Sequence, residues 1–268
     1  MNTKPLIHID DLSFSYNGRE TLALNSLSLD ISEASVTAIL GPNGSGKTTL
    51  LFVLLGMLPP HKGTLQFDGS TRGSRPAGRS RSLIGLVPQE ERIPFEFSVR
   101  EYVLLGRAPH LGILETPDAA DYRVARQAIE TTGLGMFADR PVSSLSGGER
   151  QLATIARAVA QMPQILLLDE PTSHLDLSNT RRVLELVRRL ADDGVTVVLT
   201  THDPNTAVTI ADFAVLLREG ATVAAGPAAE VMTSGNLSAT YGIPVEVAQF
   251  QGRSVVLPLA PPRAAPGR

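Results

Sequence analysis

A glycine-rich stretch, residues 41–48, carries the most specific chemistry in this sequence. It reads Gly-Pro-Asn-Gly-Ser-Gly-Lys-Thr and fits the phosphate-binding pattern G-x-x-x-x-G-K-[ST]. Glycines let successive backbone N–H groups turn inward around an anion, and a following helix presents its positive end to it. Lys47 supplies a cation for the outer phosphates, and the Thr48 hydroxyl can ligate Mg²⁺. The stretch therefore predicts binding of a nucleoside triphosphate with magnesium.

Two carboxylates follow a short apolar run later in the chain. Residues 165–168 are Ile-Leu-Leu-Leu, and Asp169 and Glu170 come directly after them. Acids are also common at ordinary solvated strand ends, so the functional interpretation depends on the phosphate-binding loop earlier in the sequence. With that loop present, we expect Asp169 to hold magnesium through its water shell and Glu170 to orient or deprotonate an attacking water.

A second glycine-rich helix start, Leu-Ser-Gly-Gly-Glu-Arg-Gln at residues 145–151, precedes these acids. By itself, Ser146 followed three positions later by Glu149 is an ordinary capping box. Between the phosphate-binding loop and the acid pair, however, it resembles the signature sequence of ATP-binding cassette (ABC) ATPases. The resemblance extends from about residue 6 to residue 258.

The resemblance implies roles for four further side chains. Tyr16 would stack on adenine, and Gln89 would touch the magnesium ion and link the catalytic core to a helical subdomain. Asp176 resembles the residue that couples two nucleotide sites, although it can equally cap the next helix. His202 would contact the γ-phosphate and position the attacking water. One departure is Glu33-Ala34, where the family often has Gly-Glu, and it affects a turn outside the site.

The resemblance thus gives three sets of site residues. The catalytic residues are Glu170 and His202. The metal-binding residues are Thr48, Gln89 and Asp169. The nucleotide-binding residues are Tyr16, Gly41, Pro42, Asn43, Gly44, Ser45, Gly46, Lys47, Thr48, Thr49, Gln89, Ser146, Gly147, Gly148, Glu149 and Asp176.

Short apolar runs that alternate with helical segments must position these residues. This alternation predicts an α/β fold with a mostly parallel central sheet. Two early alternating runs, 6–15 and 22–31, predict an antiparallel β layer. A helix in the middle of the chain is expected to start at Thr116 as N-cap and to end before Gly133.

The domain organisation follows from these elements. Together with the resemblance, they predict an ABC ATPase domain over residues 4–240, with a helical subdomain inserted at about 90–162. Residues 241–258 resemble the short C-terminal hairpin of one group of these ATPases, which implies a β-hairpin there, and we expect a mobile tail over 259–268.

Composition narrows the class of protein. The formal net charge of −3 gives no broad electrostatic footprint for nucleic acid, and the absence of cysteine excludes disulfides and thiolate metal sites. The longest apolar stretch, Leu50 to Leu58, is about half the length that crosses a bilayer. The N-terminus lacks the apolar segment of a signal peptide. We therefore expect a soluble chain that stays where it is made, and a reducing cytoplasm is compatible with this.

Three stretches resemble the ATPases of importers for iron-siderophores, haem and cobalamin: residues 98–112, 170–177 and 241–258. This resemblance implies a head-to-tail homodimer with ATP between the two copies, bound to integral membrane permease subunits at the cytoplasmic face of a bacterial membrane. An extracytoplasmic substrate-binding protein would deliver the cargo. Residues 89–112 are the expected docking surface for a coupling helix of the permease.

Several alternatives remain open at this point. Some molybdate or tungstate importers share the same stretches. An ABC ATPase acting on DNA or ribosomes usually has two cassettes, a long coiled coil or a basic arm, none of which is visible in this sequence. A small-molecule P-loop kinase would leave residues 145–151 unexplained, and a GTP switch would need an N-K-x-D element that the sequence lacks.

Overall fold

A computed structural model describes residues 5–16, 22–67, 70–71, 84–91, 93 and 95–259. The expected tail, apart from residue 259, lies outside this part of the chain. The strands are β1 (Ile7–Phe14), β2 (Leu24–Ile31), β3 (Val36–Leu40), β4 (Lys62–Phe67), β5 (Ser70–Thr71), β6 (Ile84–Val87), β7 (Ile165–Asp169), β8 (Thr196–Thr201), β9 (Phe213–Arg218), β10 (Ala221–Pro227), β11 (Val245–Phe250) and β12 (Arg253–Pro258). The helices are α1 (Lys47–Leu55), α2 (Val99–Leu104), α3 (Ala119–Thr131), α4 (Gly147–Ala160), α5 (Leu177–Asp192), α6 (Pro204–Ile210), α7 (Ala228–Val231) and α8 (Ser234–Tyr241).

The central sheet has the strand order β10-β9-β3-β8-β7-β6. Its five strands from β9 to β6 run parallel, and β10 joins the edge antiparallel to β9. A second, antiparallel sheet has the order β2-β1-β4-β5. The predicted mostly parallel sheet and antiparallel N-terminal layer are both confirmed.

The register of the central sheet brings together the segments that carry the candidate site. Leu40 of β3 lies beside Thr201 of β8, and Thr200 lies beside Asp169 of β7. Strand β6 pairs in parallel with the other side of β7, so its C-terminal end lies at the same edge of the sheet. Because the strands are parallel, the loops that follow β3, β8, β7 and β6 all leave from one edge of the sheet.

The central strands are buried on both faces, which divides the core into two clusters. Leu167 and Val198 pack with β1, β2, β4 and α1 on one side. Their neighbours Leu166 and Leu199 pack with helices α2 to α6 on the other side. Successive side chains of a strand point to opposite faces of the sheet, so a strand that is covered on both faces must be apolar at every position.

The inserted helical layer, α2 to α4, lies between β6 and β7 in the chain. The expected N-cap at Thr116 is wrong, because α3 begins two residues later with Asp118 as its cap. The Asp118 carboxylate accepts hydrogen bonds from the backbone N–H groups of Ala120 and Asp121, and the Asp121 carboxylate accepts one from the backbone N–H of Asp118 in a capping box. Gly133 follows the helix with φ of 73°, as expected for its end.

The C-terminal part of the described chain packs against α6. Helix α8 leads into the antiparallel hairpin β11–β12, which was predicted for this region, and β12 contacts α6. Within the described residues, no helix combines the length and apolar character required to span a membrane.

Candidate active site

The glycine-rich loop joins β3 to α1 and depends on glycine at two positions. Gly41 has φ of 156°, and a Cβ atom there would lie 2.2 Å from the Leu217 carbonyl oxygen. Gly46 is the N-cap of α1 with φ of 101°, and it supplies no side chain to the first turn. The Ser45 hydroxyl is buried without a hydrogen-bond partner in the described structure. The loop therefore leaves backbone and hydroxyl donors for an anion at the positive end of a helix.

Lys47 is buried at the start of α1, with its ammonium directed back into the loop. Its Nζ donates to the carbonyl oxygens of Gly41 at 2.9 Å and Pro42 at 3.2 Å. The same atom lies 3.7 Å from Oε1 of Glu170. Burial lowers the pKa of Lys47, whereas the neighbouring carboxylates Glu170 and Asp169 act in the opposite direction. Phosphate oxygens would give this desolvated cation the counter-charge it requires.

Asp169 ends β7 and is held by hydroxyl groups. Its Oδ1 accepts a hydrogen bond from Thr200 Oγ1 at 2.6 Å and a longer one from Thr48 Oγ1 at 3.3 Å. Thr200 Oγ1 also accepts from the backbone N–H of Glu170 at 2.9 Å. One buried threonine thus fixes both acids of the candidate site.

Glu170 lies at the centre of the charged groups. Its backbone adopts a left-handed conformation with φ of 47°, which turns the chain sharply at the end of β7. Oε2 lies 2.8 Å from Nδ1 of His202 and 3.4 Å from Nε2 of Gln89. The carboxylate therefore contacts three side chains, from Lys47, Gln89 and His202, each of which follows a different strand.

The oxygen atoms at this edge fit a magnesium ion. Mg²⁺ prefers hard oxygen ligands and usually takes one or two protein groups, with phosphates and waters completing its octahedron. Thr48 Oγ1 and Asp169 Oδ1 are 3.3 Å apart, and Gln89, just after the neighbouring strand β6, adds an amide. These few oxygen donors suit a magnesium ion whose remaining positions are filled by phosphates and waters. Among the described residues, no group of three or more His, Cys, Asp or Glu residues could hold a metal ion.

A cavity of about 510 Å³ opens beside Glu170. Residues from the glycine-rich loop, from β8 and from the start of α5 form its wall. These are Asn43, Gln89, Glu170, Thr172, Ser173, His174, Leu175, Leu177, Thr180, Thr201, His202, Asp203 and Thr206.

The predicted residues Ser146 to Glu149 are not among the described residues that line this cavity. Ser146 caps α4 in a capping box with Glu149, whose pKa is lowered by hydrogen bonds from the Ser146 backbone and hydroxyl. Ser146 and Gly147 are exposed, and Gly148 packs on the side chain of Asn179. The positive start of α4 is therefore exposed to solvent.

Two other predicted residues occupy separate positions. Tyr16 is 61% exposed, packs edge-on against Phe14, and its hydroxyl lies 3.1 Å from Thr49 Oγ1. Its exposed ring beside the glycine-rich loop is suited to base stacking. Asp176 caps α5 by accepting from Asn179 N at 2.7 Å, so the capping alternative noted from the sequence is also realised.

The sequence interpretation missed Thr200 and Tyr241. Thr200 binds both acids, and the Tyr241 hydroxyl donates to the backbone carbonyl of His202 at 3.1 Å. A threonine inside an apolar strand carries no chemical signal until the register places it beside Asp169. Tyr241 lies 39 positions from His202 in the chain, so only the tertiary structure brings them together.

Comparisons with a family profile, with individual proteins and with solved structures each found similarities. A family profile described as "ABC transporter" matches residues 24–173. The molybdate import ATP-binding protein MolC of Haemophilus influenzae is 39% identical over 246 residues, covering 91% of each chain. The hemin import ATP-binding protein HmuV of Rhodococcus jostii is 36% identical, covering 94% of this chain and 86% of its own. A solved structure described as an inward-facing metal-chelate type ABC transporter aligns with a TM-score of 0.84 at 37% identity, covering 96% of this chain and 98% of that one.

Proposed function

Because the chain belongs to the ABC transporter family and is an ATPase of that family, we propose that it drives import of a metal chelate. An iron-siderophore is the first candidate cargo, with haem or cobalamin as related possibilities. The observation that carries the proposal is the meeting of Lys47, Asp169, Glu170 and His202 at one edge of the parallel sheet. Similarity to a hemin importer and to a metal-chelate type transporter supports the choice of cargo.

The chemistry assigned to this edge is hydrolysis of the terminal phosphate of ATP. A water oxygen attacks the γ-phosphorus, the bond from that phosphorus to the bridging β–γ oxygen breaks, and the water proton passes to the Glu170 carboxylate. His202, 2.8 Å from Glu170 Oε2, holds that carboxylate in place. Lys47 exchanges its bonds to the loop carbonyls for bonds to phosphate oxygens. Thr48 and Asp169, with Gln89 nearby, would hold magnesium, whose positive charge would offset the charge of the phosphates.

The exposed start of α4 supports a dimer of two copies. Ser146 and Gly147 are exposed with helix N–H groups behind them, and a helix start is worth roughly 0.3–1 kcal/mol to an anion. A second copy, arranged head to tail, would place this helix start against the triphosphate held by the first copy. A symmetric pair creates two equivalent sites. Loss of the γ-phosphate then weakens the contact, and the pair can open.

The transport partners are proposed from the family and from the surface. Permease subunits would bind at residues 89–112, where Phe95 is 67% exposed and Leu105 is 45% exposed. The chain would then lie at the cytoplasmic face of the membrane, and an extracytoplasmic binding protein would complete the importer. We propose no nucleic-acid partner.

A Glu170→Gln variant tests the assigned chemistry. It removes the proton acceptor and keeps the shape, so ATP hydrolysis by the purified protein should fall about 100- to 10,000-fold. ATP binding should persist, and size-exclusion chromatography in saturating ATP should show a dimer. A matched control is Glu185→Gln, since Glu185 forms an exposed ion pair with Arg181 on α5 and should leave the rate within twofold. Full activity of Glu170→Gln would refute the assigned role.

Molybdate is the second candidate cargo, because the 39% identical relative is a molybdate import protein. An uptake assay distinguishes the two candidate cargoes, with the full transporter co-purified with its permease and placed in vesicles. Uptake of an iron-siderophore or haem supports the first proposal, whereas uptake of molybdate alone supports the second. Association with ribosomes or DNA, without any membrane fraction, would contradict both.

A further inference from the structure

Helix α8, outside the proposed catalytic residues, contacts the backbone of one of them. The hydroxyl of Tyr241, the last residue of α8, donates a hydrogen bond to the carbonyl oxygen of His202 at 3.1 Å. His202 lies between the end of β8 and Asp203, the N-cap of α6. The Tyr241 hydroxyl therefore binds the backbone of the segment that connects β8 to α6.

A second link joins the segment after His202 to the C-terminal hairpin. Asn205, in the first turn of α6, donates from Nδ2 to the carbonyl oxygen of Val256 at 3.1 Å. Its Oδ1 accepts from the Val256 backbone N–H at 2.9 Å. The side-chain amide therefore pairs with β12 as a neighbouring strand would.

Two serines of α8 fix the hairpin to the helix that carries Tyr241. Ser238 Oγ accepts from the backbone N–H of Val245 at 2.9 Å, and Ser234 Oγ accepts from that of Val247 at 2.9 Å. The path from His202 through α8, β11, β12 and α6 returns to His202. These hydrogen bonds and the elements that they join form a closed ring, which restrains the His202 backbone.

The Tyr241 hydroxyl is a neutral donor in this position. Burial raises its pKa above the ordinary phenol value, and the carboxylates of Asp203 and Glu170 act in the same direction. Its proton therefore stays available to the His202 carbonyl through the pH range of enzyme assays.

We propose that Tyr241 is a positioning residue for His202, and that the hydrogen-bonded ring from α8 through β12 sets the distance between His202 and Glu170. This inference rests on the proposed ATPase function. The His202 side chain is half exposed, and its Nδ1 contacts Glu170 Oε2 at 2.8 Å. Because a half-exposed side chain can move, its backbone must be fixed from elsewhere for the contact to persist.

The first test is Tyr241→Phe, which removes only the hydroxyl. The kcat for ATP should fall roughly three- to tenfold, the rate equivalent of one neutral hydrogen bond, while KM for ATP stays within twofold. Tyr122→Phe is the matched control, since Tyr122 lies on the exposed side of α3, and it should leave kcat unchanged. An unchanged kcat in Tyr241→Phe, or a change confined to KM, would overturn the proposal.

The second test uses Asn205→Ala, which opens the same ring at another point. Its kcat should also fall, and the double variant with Tyr241→Phe should be no slower than the slower single variant, because a ring needs only one break. Multiplicative losses in kcat would contradict a shared ring. If the wild-type protein itself hydrolyses no ATP, the proposed function fails first, so the two failures are distinguishable.

Discussion

Replacing Thr200 by valine is expected to damage both stability and hydrolysis, because one hydroxyl serves two acids. Thr200 is fully buried, donates to Asp169 Oδ1 at 2.6 Å and accepts from Glu170 N at 2.9 Å. A hydrogen bond to a charged group contributes about 1.5–3 kcal/mol, and a buried N–H left without a partner costs about 1–3 kcal/mol. Allowing for partial relaxation, the free energy of unfolding should fall by about 2–5 kcal/mol.

Thr37→Val is the matched control for this substitution. Thr37 is also fully buried in the central sheet, but its hydroxyl has no hydrogen-bond partner in the described structure. Removing an unpaired buried hydroxyl should leave the free energy of unfolding unchanged or raise it by about 1 kcal/mol. Both variants replace a buried threonine of the same sheet by valine, but only Thr200→Val is expected to lower the free energy of unfolding.

Urea denaturation followed by circular dichroism measures both effects, and equal m-values would show that the variants unfold in the same way. ATP hydrolysis should fall at least about tenfold in Thr200→Val, the rate equivalent of one charged hydrogen bond. It should stay within twofold of wild type in Thr37→Val. Similar midpoints and similar rates in the two variants would refute the inferred role of the Thr200 hydroxyl.

Three further outcomes are expected. Gly41→Ala should lower the free energy of unfolding by about 2–6 kcal/mol, because its Cβ would lie 2.2 Å from a carbonyl oxygen. Gly44→Ala, whose Cβ would enter open space, should lower it by only about 1–2 kcal/mol, and urea denaturation compares the two variants. Tyr16→Ala should weaken binding of a non-hydrolysable ATP analogue about five- to 100-fold by calorimetry, and Tyr16→Phe should bind normally. The hydrogen bond from Arg107 lowers the pKa of Asp121 in the folded protein. Wild type should therefore be more stable than Asp121→Asn above pH 3.8, and this difference should disappear as the pH falls through the pKa of Asp121 in the folded protein. Urea midpoints measured across this pH range test the expectation.

The position of α3 shows how local signals compete. Thr116 with Pro117 and Asp118 with Asp121 are both acceptable helix starts by sequence. The structure uses the second, in which Asp121 also accepts a hydrogen bond from the buried Arg107 at 2.8 Å. Because Arg107 lies outside α3, the tertiary contact favours one of two cap patterns that are locally similar.

The amino-acid sequence by itself determined the phosphate-binding loop, the alternation of strands and helices, and the family to which the chain belongs. The loop depends on residues adjacent in the sequence, the burial of a strand depends on its own apolar run, and the family resemblance depends on the order of the motifs along the chain. Their order along the chain was sufficient to place Lys47, Asp169 and His202 in one site.

The tertiary structure decided which groups touch. The hydrogen bonds of Thr200 to both acids, the contact of His202 with Glu170, and the ring through Tyr241 all depend on strand order and register. Apolar strands are interchangeable in their sequence pattern, so a single run does not specify its neighbours. Only the packing of both cores against the central sheet selects one arrangement, and that arrangement sets the distances in the site.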